Sequence, residues 1–319
     1  MAEGMGDGLP VLVLTGPTGS GKSEWAARLA ESAPVEIVSV DSALVYRGLD
    51  IGSAKPERAL RARIPHHLID ICEPTESYSA GRFVGDALRC IGDVHARRRV
   101  PLLVGGTLLY LRALLHGLAP LPQASPEVRR ELDRRAARLG WPALHAELAR
   151  LDPEAAARIH DSDAQRIQRA LEVCLATGRP ISELQRATAS PLANLRVHAW
   201  ALVPGDRATL HAHLEKRFHS MMAAGFLEEV RTLFRRGDLQ ASDSSMRAVG
   251  YRQLWAHVAG EYGLEEATRR GISATRQLAK RQLTWLRGEQ AFRRLDPQPP
   301  HAQASWIGDA ERVVRELGR

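Results

Sequence analysis

The stretch GPTGSGKS, residues 16–23, constrains this chain more than any other. It matches G-x-x-x-x-G-K-[ST], it follows the apolar run PVLVLT (10–15), and a helical pattern runs from Lys22 to about Ser32. Gly16, Gly19 and Gly21, spaced by Pro17, Thr18 and Ser20, let backbone N–H groups turn inward as a nest for an anion. Lys22 adds a point charge, and Ser23 a hydroxyl suited to Mg²⁺ at a helix N-terminus. A phosphate is therefore expected beyond the first strand. Whose phosphate it is, and which bond breaks beside it, the motif leaves open.

The same alternation continues downstream. VEIVSV (35–40), HHLIDI (66–71) and VPLLVG (100–105) read as strands, with helices at 82–99 and 107–117. This is the pattern of an α/β fold, a P-loop NTPase-like parallel sheet flanked by helices. The Pro-rich LAPLPQASPE (118–127) interrupts it. From 126 to about 188 the period is helical, with capping signals at Ser125, Asp152 and Asp161 and no strand, so an all-helical insertion is expected. RVHAWALVP (196–204) returns to strand, helices follow at about 206–224, 226–236, 247–259, 264–287 and 303–317, and FRRL (292–295) reads as a last short strand. The divisions expected are a disordered tail (1–9), a first core part (10–122), the insertion (123–190) and a second core part (191–319).

No apolar run reaches the roughly 18 residues that span a bilayer, and MAEGMGDGLP lacks the features of a secretory signal. Cys72, Cys90 and Cys174 are too scattered for a disulfide framework or a zinc module. A cytoplasmic protein away from membranes is expected. The net charge of +7 is unevenly placed. Residues 206–295 hold 16 Lys and Arg against 10 Asp and Glu, whereas 125–190 hold 11 against 10. The excess suits a polyanionic partner on the C-terminal third.

Asp41 ends the second strand in SVDSALVY, on the side of an open α/β sheet where ligands bind. It reads as a turn former, a metal-associated carboxylate or a general base. In VGGTLLY (104–110), Gly105 and Gly106 allow close backbone approach, and Thr107 either caps the next helix or donates to a phosphate. On the helix SATRQLAKRQLTWLR (273–287), Arg276, Lys280, Thr284 and Arg287 fall on one side, with Ile272, Leu278, Ala279, Leu283, Trp285 and Leu286 in the apolar arc. Such a helix packs by one face and tracks a phosphate backbone with the other. Gln165, Arg166 and Arg169 share a helix of the insertion, and Arg217 is ambiguous between a solvated face and a site. His66 and His67 lack a third ligand at metal spacing and read as loop residues.

Taken together, GPTGSGKS, VSVDSALVYRGLDIGSAKP (38–56), HHLID (66–70), PLLVGGTLLY (101–110), DAQRIQRALEV (163–173), RAVGYRQLW (247–255) and ATRQLAKRQLTWLR (274–287) resemble the tRNA dimethylallyltransferase family over residues 10–290. The resemblance implies transfer of a dimethylallyl group from dimethylallyl diphosphate to N6 of adenosine 37, in the anticodon stem-loop of tRNAs reading codons that begin with U. It implies that residues 16–23 and Arg217 hold the diphosphate, with Mg²⁺ on Ser23, that Asp41 takes or orients the N6 proton, and that Thr107 touches diphosphate and base. It further implies tRNA contacts from Asp41, Ser42, Ala43 and Leu44, from Gln165, Arg166, Ile167, Gln168 and Arg169, and from Arg247, Ala248, Val249, Gly250, Tyr251 and Arg252. The last such segment is Lys280, Arg281, Gln282, Leu283, Thr284, Trp285, Leu286 and Arg287, and Arg129 is a weaker channel candidate. A monomer is expected, of the bacterial form, since no Cys/His zinc module follows. Gly19 stands where the family usually has Ala, and Ser23 where Thr is common.

Two other classes share part of this pattern. A small-molecule or nucleotide kinase, binding ATP, would use the same loop and an aspartate base but has no need of the basic helix at 273–287. A P-loop RNA-binding or switch protein would bind RNA without modifying it. ATP consumption separates the first from a prenyl transferase, and a modified nucleoside separates the second.

Overall fold

In the computed structural model, which describes residues 8–119, 121–122, 125–186 and 188–316, one sheet is built from parallel strands. They are β1 (Pro10–Thr15), β2 (Val35–Val40), β3 (His66–His67), β4 (Val100–Gly105), β5 (Arg196–Leu202) and β6 (Arg293–Leu295), ordered β3-β2-β4-β1-β5-β6. β1, β2 and β4 are buried along their whole length. That is why they read as almost unbroken apolar runs: helices cover both faces of a parallel sheet. Helices α1 (Lys22–Ser32), α2 (Arg58–Arg63), α3 (Ala80–Ala96) and α4 (Leu108–His116) alternate with these strands. Ser79 starts α3 by accepting the Arg82 N–H.

The register sets the site. Gly105 lies level with Thr15 on one side and Val40 on the other. The loops after β1, β2 and β4 therefore leave the sheet at one height, beyond the strands' carboxyl ends. Gly105 is required for this: a Cβ there would sit 2.0 Å from the Val40 carbonyl oxygen. The Thr15 hydroxyl donates to Gly105 O at 2.9 Å and fastens the same level.

The described residues divide into two compact units, at Ala113/Leu114 and at Ser190/Pro191. The smaller contains α5 (Pro126–Leu139), α6 (Trp141–Leu151), α7 (Pro153–Arg158), α8 (Ala164–Thr177) and α9 (Ile181–Arg186), and no strand among its described residues. Its own core gathers Leu132, Leu144, Leu148, Ile167 and Leu171. Ser125 and Asp152 cap α5 and α7 as expected, but α8 is capped by Asp163 and not by Asp161. The larger unit continues after β5 with α10 (Arg207–Ala223), α11 (Phe226–Arg235), α12 (Tyr251–Val258), α13 (Leu264–Gly288) and α14 (Ala302–Glu316). Trp25 and Leu29 of α1 meet Trp306 and Val313 of α14 over Leu12, Leu14 and Ile37 of the sheet.

Three expectations change. HHLIDI forms only a two-residue strand, because Leu68 and Asp70 take positive φ (62° and 57°) and leave the sheet. Asp70 is drawn instead to Lys55 (2.5 Å) and Arg61 (2.8 Å). His66 and His67 are thus the strand itself and not loop residues. The helix expected from 247 begins at Tyr251, after Gly250 with φ 90°. Residues 1–7 of the expected tail lie outside the described residues, while Leu9 O accepts the Arg196 N–H at 3.1 Å.

Glu36, buried in β2, is the one anion inside this part of the sheet that the sequence pattern leaves unexplained. Arg97 grips both carboxylate oxygens (3.0 and 2.7 Å), and His67 Nε2 lies 2.7 Å from Oε2. The Arg97 hydrogen bond, opposed by burial and helped by His67, holds the carboxyl below its ordinary 4.5. Glu36→Gln is expected to cost about 1.5 kcal/mol of unfolding free energy at neutral pH, the scale of hydrogen bonds to a charged group, because the Arg97 left behind is half exposed. A folded-state value below the unfolded one means stability present above pH 4.5 and lost as pH falls through the folded value. Urea titrations of wild type and variant should therefore diverge at neutral pH and converge in acid.

Candidate active site

Where the loops after β1, β2 and β4 meet α10 and α13, a cavity of about 470 Å³ opens. That is an ordinary size for a small-molecule site. The phosphate loop and the start of α1 form a cradle for an anion. The N–H groups of Lys22 and Ser23 precede any helical acceptor, while that of Glu24 is held by Gly21 O at 3.1 Å. Lys22 Nζ reaches Pro17 O at 3.2 Å, its one hydrogen bond to protein among the described residues. Arg217, presented by α10, makes no hydrogen bond or ion pair among the described residues. Burial lowers Lys22 to about 8, with Asp41 raising it and Arg217 lowering it further. Burial also lowers Arg217, and Asp41 again opposes. Two crowded cations without a paired carboxylate are costly unless an anion joins them. The buried Ser20 hydroxyl has no partner either.

Asp41 lines the same cavity, near enough to Lys22 and Arg217 to favour the charge on both. Its Oδ1 accepts the N–H groups of Ala43 (2.8 Å) and Leu44 (3.3 Å), so it is indeed a turn former. This turn also fixes the carboxylate at the cavity wall. Thr107 Oγ1 accepts the Ser42 N–H at 3.0 Å and so joins the loops after β2 and β4. Ser23 is exposed at the start of α1 and lines the cavity.

Apolar side chains line the same cavity: Leu214, Phe218 and Met221 of α10, on either side of Arg217, with Phe226 of α11, Tyr251 and Leu278. Phe218, Phe226 and Tyr251 stack edge to face, with centroids 6.1 and 4.9 Å apart. No spacing in the sequence marks this wall, since its residues come from four separate segments. Glu229 is a second unforeseen part. Its carboxylate accepts the N–H groups of Asp50 (3.0 Å), Ile51 (2.7 Å) and Gly52 (3.2 Å) and the Tyr251 hydroxyl (2.6 Å). It holds the 50–54 loop against the cavity.

The residues expected on RNA sort into two groups. Ser42, Ala43, Leu44, Arg247, Ala248, Val249 and Arg281 line the cavity, and Arg252, Lys280, Thr284 and Arg287 are exposed. Gln165 and Arg166 are exposed on α8. The other group is buried or held by protein partners, although Tyr251 and Gln282 also line the cavity. Ile167, Tyr251, Leu283 and Leu286 are buried in the cores, as is Gly250. Gln282 is 4% exposed. Trp285 packs its ring on Phe292. Gln168 donates to Asp133 (2.7 Å), Arg169 to Pro122 O (2.9 Å), and Arg129 is paired with buried Glu172 at 2.8 Å. Arg129 thus neutralises the buried Glu172 while its own side chain stays half exposed. A second cleft of about 750 Å³, lined by Arg247, Arg252, Trp255, Tyr262, Arg269 and Arg270, adjoins the first through Arg247.

The IPP transferase family model matches residues 44–289. The chain is 55% identical over 313 residues to the tRNA dimethylallyltransferase of Methylococcus capsulatus, covering 97% of this chain and 96% of that one. It is 57% identical over 280 residues to that of Alkalilimnicola ehrlichii, covering 88% of each. Among solved structures, the tRNA isopentenylpyrophosphate transferase of Bacillus halodurans is similar with a TM-score of 0.70 at 33% identity, over 97% of this chain and 98% of that one. A eukaryotic dimethylallyltransferase described as acting on tRNA gives a TM-score of 0.79 at 25% identity, over 98% of this chain and 80% of that one.

Proposed function

Since the chain belongs to the IPP transferase family, we propose that it transfers a dimethylallyl group from dimethylallyl diphosphate to N6 of an adenosine beside the anticodon of tRNA. The observation that carries this reading is one cavity that combines cations with apolar side chains. Lys22 and Arg217 line it without a paired carboxylate, Leu214, Phe218 and Met221 line it beside Arg217, and Asp41 lies within electrostatic reach of both cations. The diphosphate sits on residues 16–23 and Arg217, and the prenyl chain lies along Leu214, Phe218 and Met221. The N6 lone pair bonds to C1 of the prenyl group as the C1–O bond breaks, and that electron pair leaves with diphosphate. The N6 proton passes to the Asp41 carboxylate. Lys22 and Arg217 oppose the charge that grows on the leaving oxygen. A kinase reading leaves the apolar wall and the exposed cations of α13 without a use.

Mg²⁺ fits this donor set in one way. No group of three or more Asp, Glu, His or Cys forms a cage among the described residues, so Ser23 would be its protein ligand and diphosphate and water its others, the usual arrangement for this ion. Bound there, it would neutralise diphosphate charge. The tRNA lies over the cavity and the Arg247 cleft, with the target base turned into the cavity, and α8 supplies further contacts through Gln165 and Arg166. The chain works as a monomer in the cytoplasm.

Inorganic diphosphate should compete with the prenyl donor, and ATP should not be consumed; ATP turnover with no prenyl transfer would refute the reading. The RNA path has its own test. Arg247→Gln with Arg252→Gln should weaken tRNA binding and reduce the slope of log K against log salt by about 1 to 2, as lost phosphate contacts do. An unchanged slope would remove both arginines from the RNA path.

A further inference from the structure

Gln282 lies on α13 between Arg281 and Leu283, on the helix whose Lys280, Thr284 and Arg287 are exposed. Its own side chain turns inward. Its Oε1 accepts the Thr18 N–H of the phosphate loop at 2.8 Å, and its Nε2 donates to Gly106 O, beside Thr107, at 2.8 Å. The partners fix the amide's orientation, because one is a donor and the other an acceptor. The fit is close: a Cβ on Gly106 would lie 2.6 Å from Nε2. The missing side chain of Gly106 is therefore room for this amide.

We propose that Gln282 is a positioning residue, a clamp by which the basic helix α13 holds the phosphate loop and the Thr107 loop in register, so that the diphosphate and RNA sites are aligned with each other. The proposal rests on the prenyl-transfer reading. The chemistry demands an amide. At this reach only glutamine offers one acceptor and one donor together, and an ionised glutamate has no donor. Without it, a half-buried N–H and a buried carbonyl lose their partners and the loops are free to shift.

The test compares wild type, Gln282→Leu and Gln282→Glu. It measures inorganic diphosphate affinity by calorimetry, affinity for an anticodon stem-loop RNA, and kcat. Gln282→Leu should bind diphosphate about tenfold more weakly and lose kcat, the scale of one lost buried hydrogen bond. Its RNA affinity should stay within about twofold, since the exposed cations remain. Gln282→Glu should be defective at neutral pH and recover as pH falls, because the protonated carboxyl regains a donor. That acid rescue is something a packing role alone would not produce, and it carries the test if the leucine variant fails to fold. A wild type that binds diphosphate, with both variants unchanged, overturns the clamp. Loss of RNA affinity alone also overturns it, by making Gln282 a reader of RNA. A wild type that does not bind diphosphate overturns the prenyl-donor reading and the clamp with it.

Discussion

Asp41→Asn should lower kcat by roughly 10²- to 10⁴-fold, the usual share of a general base, while leaving diphosphate and RNA affinities close to wild type. Asparagine is the informative choice because its side-chain oxygen can still accept the Ala43 and Leu44 N–H groups now held by Oδ1. The turn survives and only the proton acceptor is lost. The assay belongs on the acid side of neutrality, where Lys22 keeps its charge in the variant as well. Asp41 supports the charge on Lys22, so its removal lets that lysine lose its proton at lower pH, and an alkaline assay would confuse the two effects. Single-turnover rates at saturating substrates give the answer. A loss under about tenfold would reduce Asp41 to orienting the amine, since a general base is worth more than that.

Lys22→Ala should reduce kcat/KM for the prenyl donor by roughly 10²- to 10³-fold, the scale of one lost donor to a developing oxyanion. Lys22→Arg should recover little, because a planar fork does not replace a compact ammonium inside a tight loop. The wild type offers a matching pH signature. Burial, the leading cause, brings Lys22 to about 8 in the free protein. Below that pH it is charged and binds diphosphate; above it the charge is lost. The kcat/KM for the donor should therefore fall as pH rises through about 8, and the Lys22→Ala profile should lack that limb. The same alkaline limb in the variant would assign it to another group.

The parts legible in the sequence are those whose cause is local. A glycine-rich loop between an apolar run and a helical pattern fixes β1 and α1 to the residue. The burial of β2 and β4 follows from their composition. Position in the site then follows from register, which sequence does not show: Gly105 lies level with both Thr15 and Val40. The short β3 was hidden because HHLIDI has a strand's composition, while its fate is decided by Lys55 and Arg61 drawing Asp70 away. Motif windows mix surroundings. Residues 280–287 and 165–169 carry exposed side chains such as Lys280 and Gln165, but a helix turns, and each window also includes buried positions such as Ile167, Leu283 and Leu286. Periodicity alone placed the last two in the apolar arc. Gln282 was grouped with the RNA contacts by its motif window and left out of the apolar arc. It is a polar residue on the packed side, and its partners Thr18 and Gly106 are 264 and 176 residues away. The apolar wall was unreadable for the same reason: Leu214, Phe226 and Leu278 become neighbours only when the helices pack on the sheet.

The most direct measurement incubates the purified chain with an unmodified tRNA bearing adenosines beside its anticodon, dimethylallyl diphosphate and Mg²⁺, then digests the RNA and weighs its nucleosides. One adenosine should gain a single dimethylallyl group, with diphosphate released, and the gain should vanish in Asp41→Asn and Lys22→Ala. Unmodified adenosine accompanied by ATP turnover on a small acceptor would contradict prenyl transfer and return the phosphate loop to phosphoryl chemistry.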